Sequence, residues 1–141
     1  MGKILILFIF VGAFVMGCHD VTPGFLKTEN ATYGVSNTLI VKKVLDEYED
    51  YERIQNKAPW VTKPIQGVTG TAPINYAIES VTGPDEASAI LFMSELEIIG
   101  SGIMYYPLEH KASSGTYLVS LRISNEGYSK VVKDVFTFII E

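Results

Sequence analysis

The chain offers few residues able to do covalent or metal chemistry: two histidines, His19 and His110, and one cysteine, Cys18. His19 stands beside Cys18 near the N-terminus, which leaves His110 as the one imidazole in the body of the chain. Its neighbour Glu109 does not complete a site, because adjacent residues on an extended segment point to opposite faces and a zinc centre asks for three or four converging ligands. The acidic run Asp46, Glu47, Glu49, Asp50 and Glu52 supplies carboxylates of the kind used in glycoside hydrolysis. That reaction needs two of them in an enclosed cleft, one with a raised pKa, whereas a run of like charges reads as a solvated face. No nucleophile elbow, phosphate loop or zinc spacing occurs in the sequence. The expectation is therefore no catalytic residue, no metal and no cofactor. Aromatics remain. Trp60, Tyr105 and Tyr106 are the candidates for ligand or partner contact, because a flat ring packs against the C–H face of a sugar or an apolar protein surface. The competing reading is that Trp60 caps a core and one of the paired tyrosines points inward by strand alternation.

The N-terminus carries a second kind of chemistry. Residues 4–15, ILILFIFVGAFV, form an unbroken apolar run preceded by Lys3. A spanning helix needs roughly 20 apolar residues, so the length suits the apolar region of a secretory signal. The run ends in Val15-Met16-Gly17-Cys18, which resembles the bacterial lipobox: an aliphatic residue, then a small residue directly before the cysteine. The resemblance implies cleavage between Gly17 and Cys18, a thioether-linked diacylglycerol on Cys18 Sγ, and acylation of the freed amine by a palmitate-like chain. Each buried methylene adds about 0.8 kcal/mol, so two or three chains anchor a protein permanently. A conventional signal peptide with an incidental cysteine, or an N-terminal membrane anchor, is the alternative. Asp20 behind the cysteine resembles surface-export signals of Bacteroidetes lipoproteins, so the outer membrane is the expected location, with the cell surface and the periplasmic face both open. With no further thiol, an exported chain forms no internal disulfide and its core holds by packing.

Removing residues 1–17 as a signal peptide takes one of the 11 basic residues, Lys3, and none of the 16 acidic ones, leaving 10 against 16. That balance excludes a nucleic-acid binder, which would show a basic stripe. Residues 18–37, rich in Thr, Gly and Asn, read as a flexible tether, and residues 38–141 read as one domain. Thr38 to Leu45 has strand composition, and Val44, Tyr48, Tyr51 and Gln55 fall at helical spacing, so residues 45–54 read as either a short helix or a charged loop.

Beyond Pro59 the pattern is that of strands. Ile74, Tyr76 and Ile78 share a face before a turn at Thr82-Gly83-Pro84-Asp85, and Leu96–Ile99 and Ile103–Tyr106 flank Gly100-Ser101-Gly102 as a hairpin. Tyr117, Val119, Leu121 and Ile123 alternate with Leu118, Ser120, Arg122 and Ser124, and Asn125-Glu126-Gly127 turns the chain into a last strand bearing Phe136, Phe138 and Ile140. About seven short strands predict an all-β antiparallel sandwich.

The stretch Pro59 to Glu141, with Gly67-Val68-Thr69-Gly70-Thr71-Ala72-Pro73-Ile74, Gly115-Thr116-Tyr117 and Ser124-Asn125-Glu126-Gly127, resembles small cell-envelope lipoproteins of Bacteroidetes with an immunoglobulin-like or cadherin-like domain. The resemblance implies an immunoglobulin-like sandwich and a non-catalytic binding or structural accessory to other surface proteins. A glycan-binding module of a polysaccharide-utilisation system is the alternative. Expected partners are the membrane, through the anchor, and a protein or glycan. The acidic motifs that hold calcium between cadherin repeats have no counterpart here.

Overall fold

The computed structural model describes residues 24–141, so the expected signal peptide, Gly17 and Cys18 lie outside the described residues. The spine is a long hairpin of β8 (Gly115–Asn125) and β9 (Tyr128–Ile140). Its turn passes through Gly127 at φ 97, a conformation that glycine adopts without a Cβ clash. Tyr117, Val119, Leu121 and Ile123 are completely buried, as their alternation predicts, and Phe136, Phe138 and Ile140 are buried with them. One alternating residue departs from the pattern. Ser120 alternates away from Val119 and Leu121 yet is buried, because β9 bulges between Val132 and Phe136 and brings Asp134 against it, the Asp134 N–H donating to Ser120 Oγ at 2.9 Å. Asp134 takes a left-handed φ of 49 there.

Strand β5 (Asn75–Thr82) pairs antiparallel with β8, and β2 (Thr38–Val41) pairs parallel with β9, giving the order β2-β9-β8-β5. Ile74, Tyr76 and Ile78 do share the half-buried face, with Asn75 and Ala77 exposed between them. A second sheet has the order β3-β7-β6, built from β3 (Trp60–Val61), β7 (Ile103–Tyr106) and β6 (Glu97–Ile99). The hairpin across Gly100–Gly102 forms as expected, with Ile99 opposite Ile103. Trp60, Met104 and Tyr106 from this sheet join Tyr117, Val119 and Phe138 in one core. A short pair, β1 (Leu26–Lys27) with β4 (Thr69–Gly70), completes a mostly β molecule with several antiparallel sheets.

Three expectations need correction. The tether does not extend to Asn37: Leu26 and Tyr33 are buried in the core, and the Tyr33 hydroxyl donates to the Gly102 carbonyl, so the folded unit includes the chain from Gly24. Burial pushes the Tyr33 phenol well above its ordinary pKa. The helix considered for residues 45–54 is shorter and later, α1 (Tyr51–Asn56), preceded by turns. The turn at Thr82–Asp85 leads into a helix, which the all-β reading did not include. Asp85 caps α2 (Glu86–Glu95), its carboxylate accepting the Ser88 N–H at 2.8 Å. This helix drives Phe92 into the core, with ring centroids 4.5 Å from Tyr106 and 4.4 Å from Tyr117.

Candidate functional site

The three aromatics singled out by sequence do not form a platform. In the β3–β7 register Trp60 lies opposite Tyr106, so both rings share the inner face. Trp60 is 6% exposed, its Nε1 is buried without a hydrogen-bond partner, and its ring is covered by the Arg53 guanidinium at 3.9 Å. Tyr106 is fully buried, and its hydroxyl donates to Glu95 Oε2 at 2.7 Å. Burial, reinforced by that carboxylate, pushes the phenol far above its usual pKa. Tyr105 is half-buried on the other face, beside exposed Val61. Alternation thus assigns the adjacent tyrosines to opposite faces, and the inward one is Tyr106.

The most exposed aromatics, Tyr48 and Tyr51, lie instead in the segment from Lys42 to Ala58, between β2 and β3, while Phe25 and Tyr128 are exposed by 48% and 44% near Asn125. Local hydrogen bonds shape it. The Asp46 carboxylate accepts the N–H groups of Tyr48 and Glu49 at 2.8 and 2.9 Å, folding the chain around an aspartate as short polar side chains commonly do. Asp50 accepts the Asp46 N–H at 2.9 Å and the Lys42 ammonium at 3.0 Å. These backbone donors hold both carboxyls below the usual carboxylate range, with Lys42 adding to the effect on Asp50. At the C-terminal end of α1 the Lys57 N–H returns to the Arg53 and Ile54 carbonyls, and Arg53 Nη1 donates to the Pro59 carbonyl at 2.8 Å. The acidic run is therefore only in part a solvated face: Asp46 and Asp50 build the turn, while Glu47, Glu49 and Glu52 are exposed.

The turn displays Val44, Tyr48 and Tyr51 at 85%, 91% and 58% exposure. The helical spacing that groups these three in sequence does not bury them. Tyr48 and Tyr51 border shallow depressions on both sides of α1, one with Glu52 and Asn56, the other with Ile54 and Gln55. Two exposed tyrosines amid carboxylates, on a segment held by hydrogen bonds, form an amphipathic surface whose composition is like that of binding loops. The sequence signal for them was present as Tyr48 and Tyr51 spaced by three in a polar run.

Because the carboxyls of Asp46 and Asp50 are lowered from 3.8 in the folded state, their hydrogen bonds contribute stability that is complete above pH 3.8 and is lost as pH falls through the lowered values. Urea denaturation between pH 5 and about pH 2 is expected to show a steeper acid loss for the parent than for Asp50→Asn. Parallel curves would show that the Asp50 carboxylate does not hold the turn.

The position of this segment follows from β8. Val41 and Gly115 both lie opposite Ile140, whereas Asn125 lies opposite Tyr128. At ~3.3 Å per residue, the 11 residues of β8 separate the two ends by roughly 30 Å. The Asn125 side-chain amide donates to the Phe25 carbonyl at 2.7 Å, so the described chain begins at the end opposite Tyr48 and Tyr51. His110 lies at the Tyr48 end, its ring packed on Tyr106 at 5.1 Å and its Nδ1 buried without a partner. Among the described residues no three His, Cys, Asp or Glu side chains converge as a metal site, and no helix is long and apolar enough to cross a membrane. Comparison with protein-family models, with curated proteins and with solved structures finds no match for the chain.

Proposed function

We propose that the chain is a lipid-anchored cell-envelope protein with an immunoglobulin-like domain, which acts without catalysis as a binding accessory to other surface proteins. The observation that carries the reading is the placement of the two ends: Val15-Met16-Gly17-Cys18 precedes the domain, and the exposed Tyr48 and Tyr51 lie at the end away from Gly24. Only residues 19–23 separate Cys18 from Gly24, a reach of roughly 20 Å when fully extended. A lipid on Cys18 would hold the Asn125 end close to the outer membrane and present the tyrosines outward.

Strand order supports the immunoglobulin-like reading. Taking β2, β3, β5, β6, β7, β8 and β9 as A′ to G, the sheets become A′GFC and BED, the arrangement of that fold. Tyr117, near the start of the strand in the F position, donates its hydroxyl to the Ser113 carbonyl at 2.7 Å, the contact of a tyrosine corner. The helix α2 is an insertion between the strands in the C and D positions. Burial of Trp60 and Tyr106 removes the platform that favoured a glycan, so the preferred partner is a protein.

Mass spectrometry of the N-terminal peptide is expected to find acylated Cys18, and Cys18→Ala is expected to release the protein from washed membranes. A photo-crosslinking residue at position 48 should capture a surface protein, and one at position 126 should not. A mature chain with a free Cys18 thiol would end the anchor reading. Equal capture from both positions would end the assignment of the contact surface, and capture of polysaccharide alone would favour the glycan module.

A further inference from the structure

We propose that the groove between the outer edge of β5 and the helix α2 binds a short extended segment of a basic partner protein, which adds to β5 as a further strand. The site is separate from the Tyr48 and Tyr51 surface, and it does not depend on the lipid anchor. β5 closes one side of the four-stranded sheet, and among the described residues no backbone hydrogen bond joins residues 75–82 to any segment but β8. Such an edge presents unpaired N–H and C=O groups on which another chain can pair. Beside it, Val81, Ala89, Ile90 and Met93 line a groove of about 370 Å³, and α2 leaves Ile90 and Met93 open to solvent. A strand edge next to an apolar groove is the arrangement that holds an extended peptide, the edge by main-chain bonds and the groove by alternate side chains. Thr82 lies opposite Leu118, near Gly115, so the groove sits toward the end away from Gly24.

Charge identifies the occupant. The lining carries the carboxylates of Glu79, Asp85 and Glu86 and no lysine or arginine. The sequence has neither residue type anywhere between Lys63 and Lys111. Arg122, on the adjacent strand, is spent on Glu79 at 2.8 and 2.7 Å, and Lys111 is offset by Glu95, which accepts its N–H at 2.7 Å. Asp85 and Glu86 are left without a cation among the ion pairs of the described residues. An entering strand that alternates basic and apolar side chains would place the apolar ones toward Ile90 and Met93 and the basic ones near these carboxylates. A second copy of the chain fits poorly, because it would bring like carboxylates together. The bulge at Glu79, between Ile78 and Ser80, also interrupts the edge and leaves residues 80–82 as its regular part. That length suits a peptide better than the edge of another sheet.

The test titrates the full chain with a blocked hexapeptide alternating lysine and valine, following backbone amide shifts. Its glutamate and valine counterpart reverses the charge, and two N-methylated versions, one methylated on the lysines and one on the valines, each remove the N–H groups from one edge. Saturable shifts at residues 80–82, 90 and 93 are expected with the lysine peptide, none with the glutamate peptide, and none with at least one methylated version, because an added strand pairs through a single edge. Ile90→Ser should weaken binding by about tenfold, the loss of one buried apolar side chain, with the melting temperature little changed at so exposed a position. Glu86→Gln should weaken it by about threefold, as for an exposed charge pair, and Val44→Ser should leave it unchanged. The proposal would be overturned by no saturable shift with the lysine peptide, by equal binding of the glutamate peptide, or by full affinity of both methylated versions. Shifts confined to the acidic turn at residues 46–52 would also overturn it, as would concentration-dependent shifts at residues 80–82 without peptide, which would place a second copy on the edge. Crosslinking from position 48 and acylation of Cys18 are read separately, so failure of the anchor or contact-surface reading remains distinguishable from failure of this site.

Discussion

Phe92→Ala is expected to destabilise the protein by about 3–5 kcal/mol, the range for deleting a fully buried aromatic ring. The ring is inaccessible to solvent and lies between Tyr106 and Tyr117, with Phe138 at 5.3 Å. Truncation would remove those contacts and leave a void among rings that cannot close in without leaving their own strands. The loss should also loosen α2, because few other side chains hold that helix. Ala89 is its other buried residue, while Ile90, Leu91 and Met93 are exposed by 64%, 37% and 36%. Glu95 adds a polar link at the C-terminal end, accepting from the Tyr106 hydroxyl and from the Lys111 N–H at 2.7 Å each. Urea denaturation checks the expectation, with Ile90→Ala as the control, for which a change within about ±0.5 kcal/mol is expected of an exposed position. Equal losses in the two variants would mean that Phe92 is not the residue that fastens α2.

That helix also shows where the sequence ceases to be readable. Period-two alternation is strong only where one face of a strand is buried and the other wet, which is why Tyr117 to Ile123 and Phe136 to Ile140 could be assigned inward from sequence. The stretch Glu86 to Glu95 has apolar side chains around most of its circumference, so no helical stripe stands out, and its clearest local signal is the Asp85 cap. Leu26 and Tyr33 were hidden for another reason. Each is a lone apolar residue in a polar segment, and their burial depends on partners far along the chain, including Gly102 for the Tyr33 hydroxyl. The parallel pairing of β2 with β9 is likewise a long-range choice with no local signature. At the candidate surface, the helical spacing of Tyr48 and Tyr51 left a short helix and a charged loop both open, because a turn closed by the Asp46 and Asp50 carboxylates leaves little trace in a hydropathy pattern. Alternation did predict that Tyr105 and Tyr106 part company, but it could not say which would enter the core; the pairing of Trp60 with Tyr106 decides that.

The bulge in β9 opposite Ser120 gives the second large effect, because it inverts an otherwise simple expectation. Leu121→Asp should lower stability by about 4 kcal/mol or more, since it replaces a fully buried apolar side chain with a charge that has no partner. Strict alternation would make Ser120→Asp harmless, with its side chain facing water. The serine is instead 4% exposed, and its Oγ accepts the Asp134 N–H at 2.9 Å and approaches Asp134 Oδ1 at 3.5 Å. An aspartate there would bring a second carboxylate against Asp134 in a space fitted to a hydroxyl, so a loss of about 2–4 kcal/mol is expected from desolvation and like-charge repulsion. Ser120→Ala isolates the hydrogen bond and should cost about 1 kcal/mol, because it leaves the Asp134 N–H without its acceptor where the backbone holds a left-handed φ of 49. Two positions along from Ser120, Arg122 is 44% exposed and makes a bidentate pair with Glu79 at 2.8 and 2.7 Å. Arg122→Ala should change stability no more than other surface substitutions, since an exposed ion pair loses most of its attraction to solvent screening and side-chain ordering. Measured by urea denaturation, the expected order of loss is Leu121→Asp, then Ser120→Asp, then Ser120→Ala, then Arg122→Ala. If Ser120→Asp proved as mild as Arg122→Ala, Ser120 would face water, and β9 would run past it without the bulge between Val132 and Phe136.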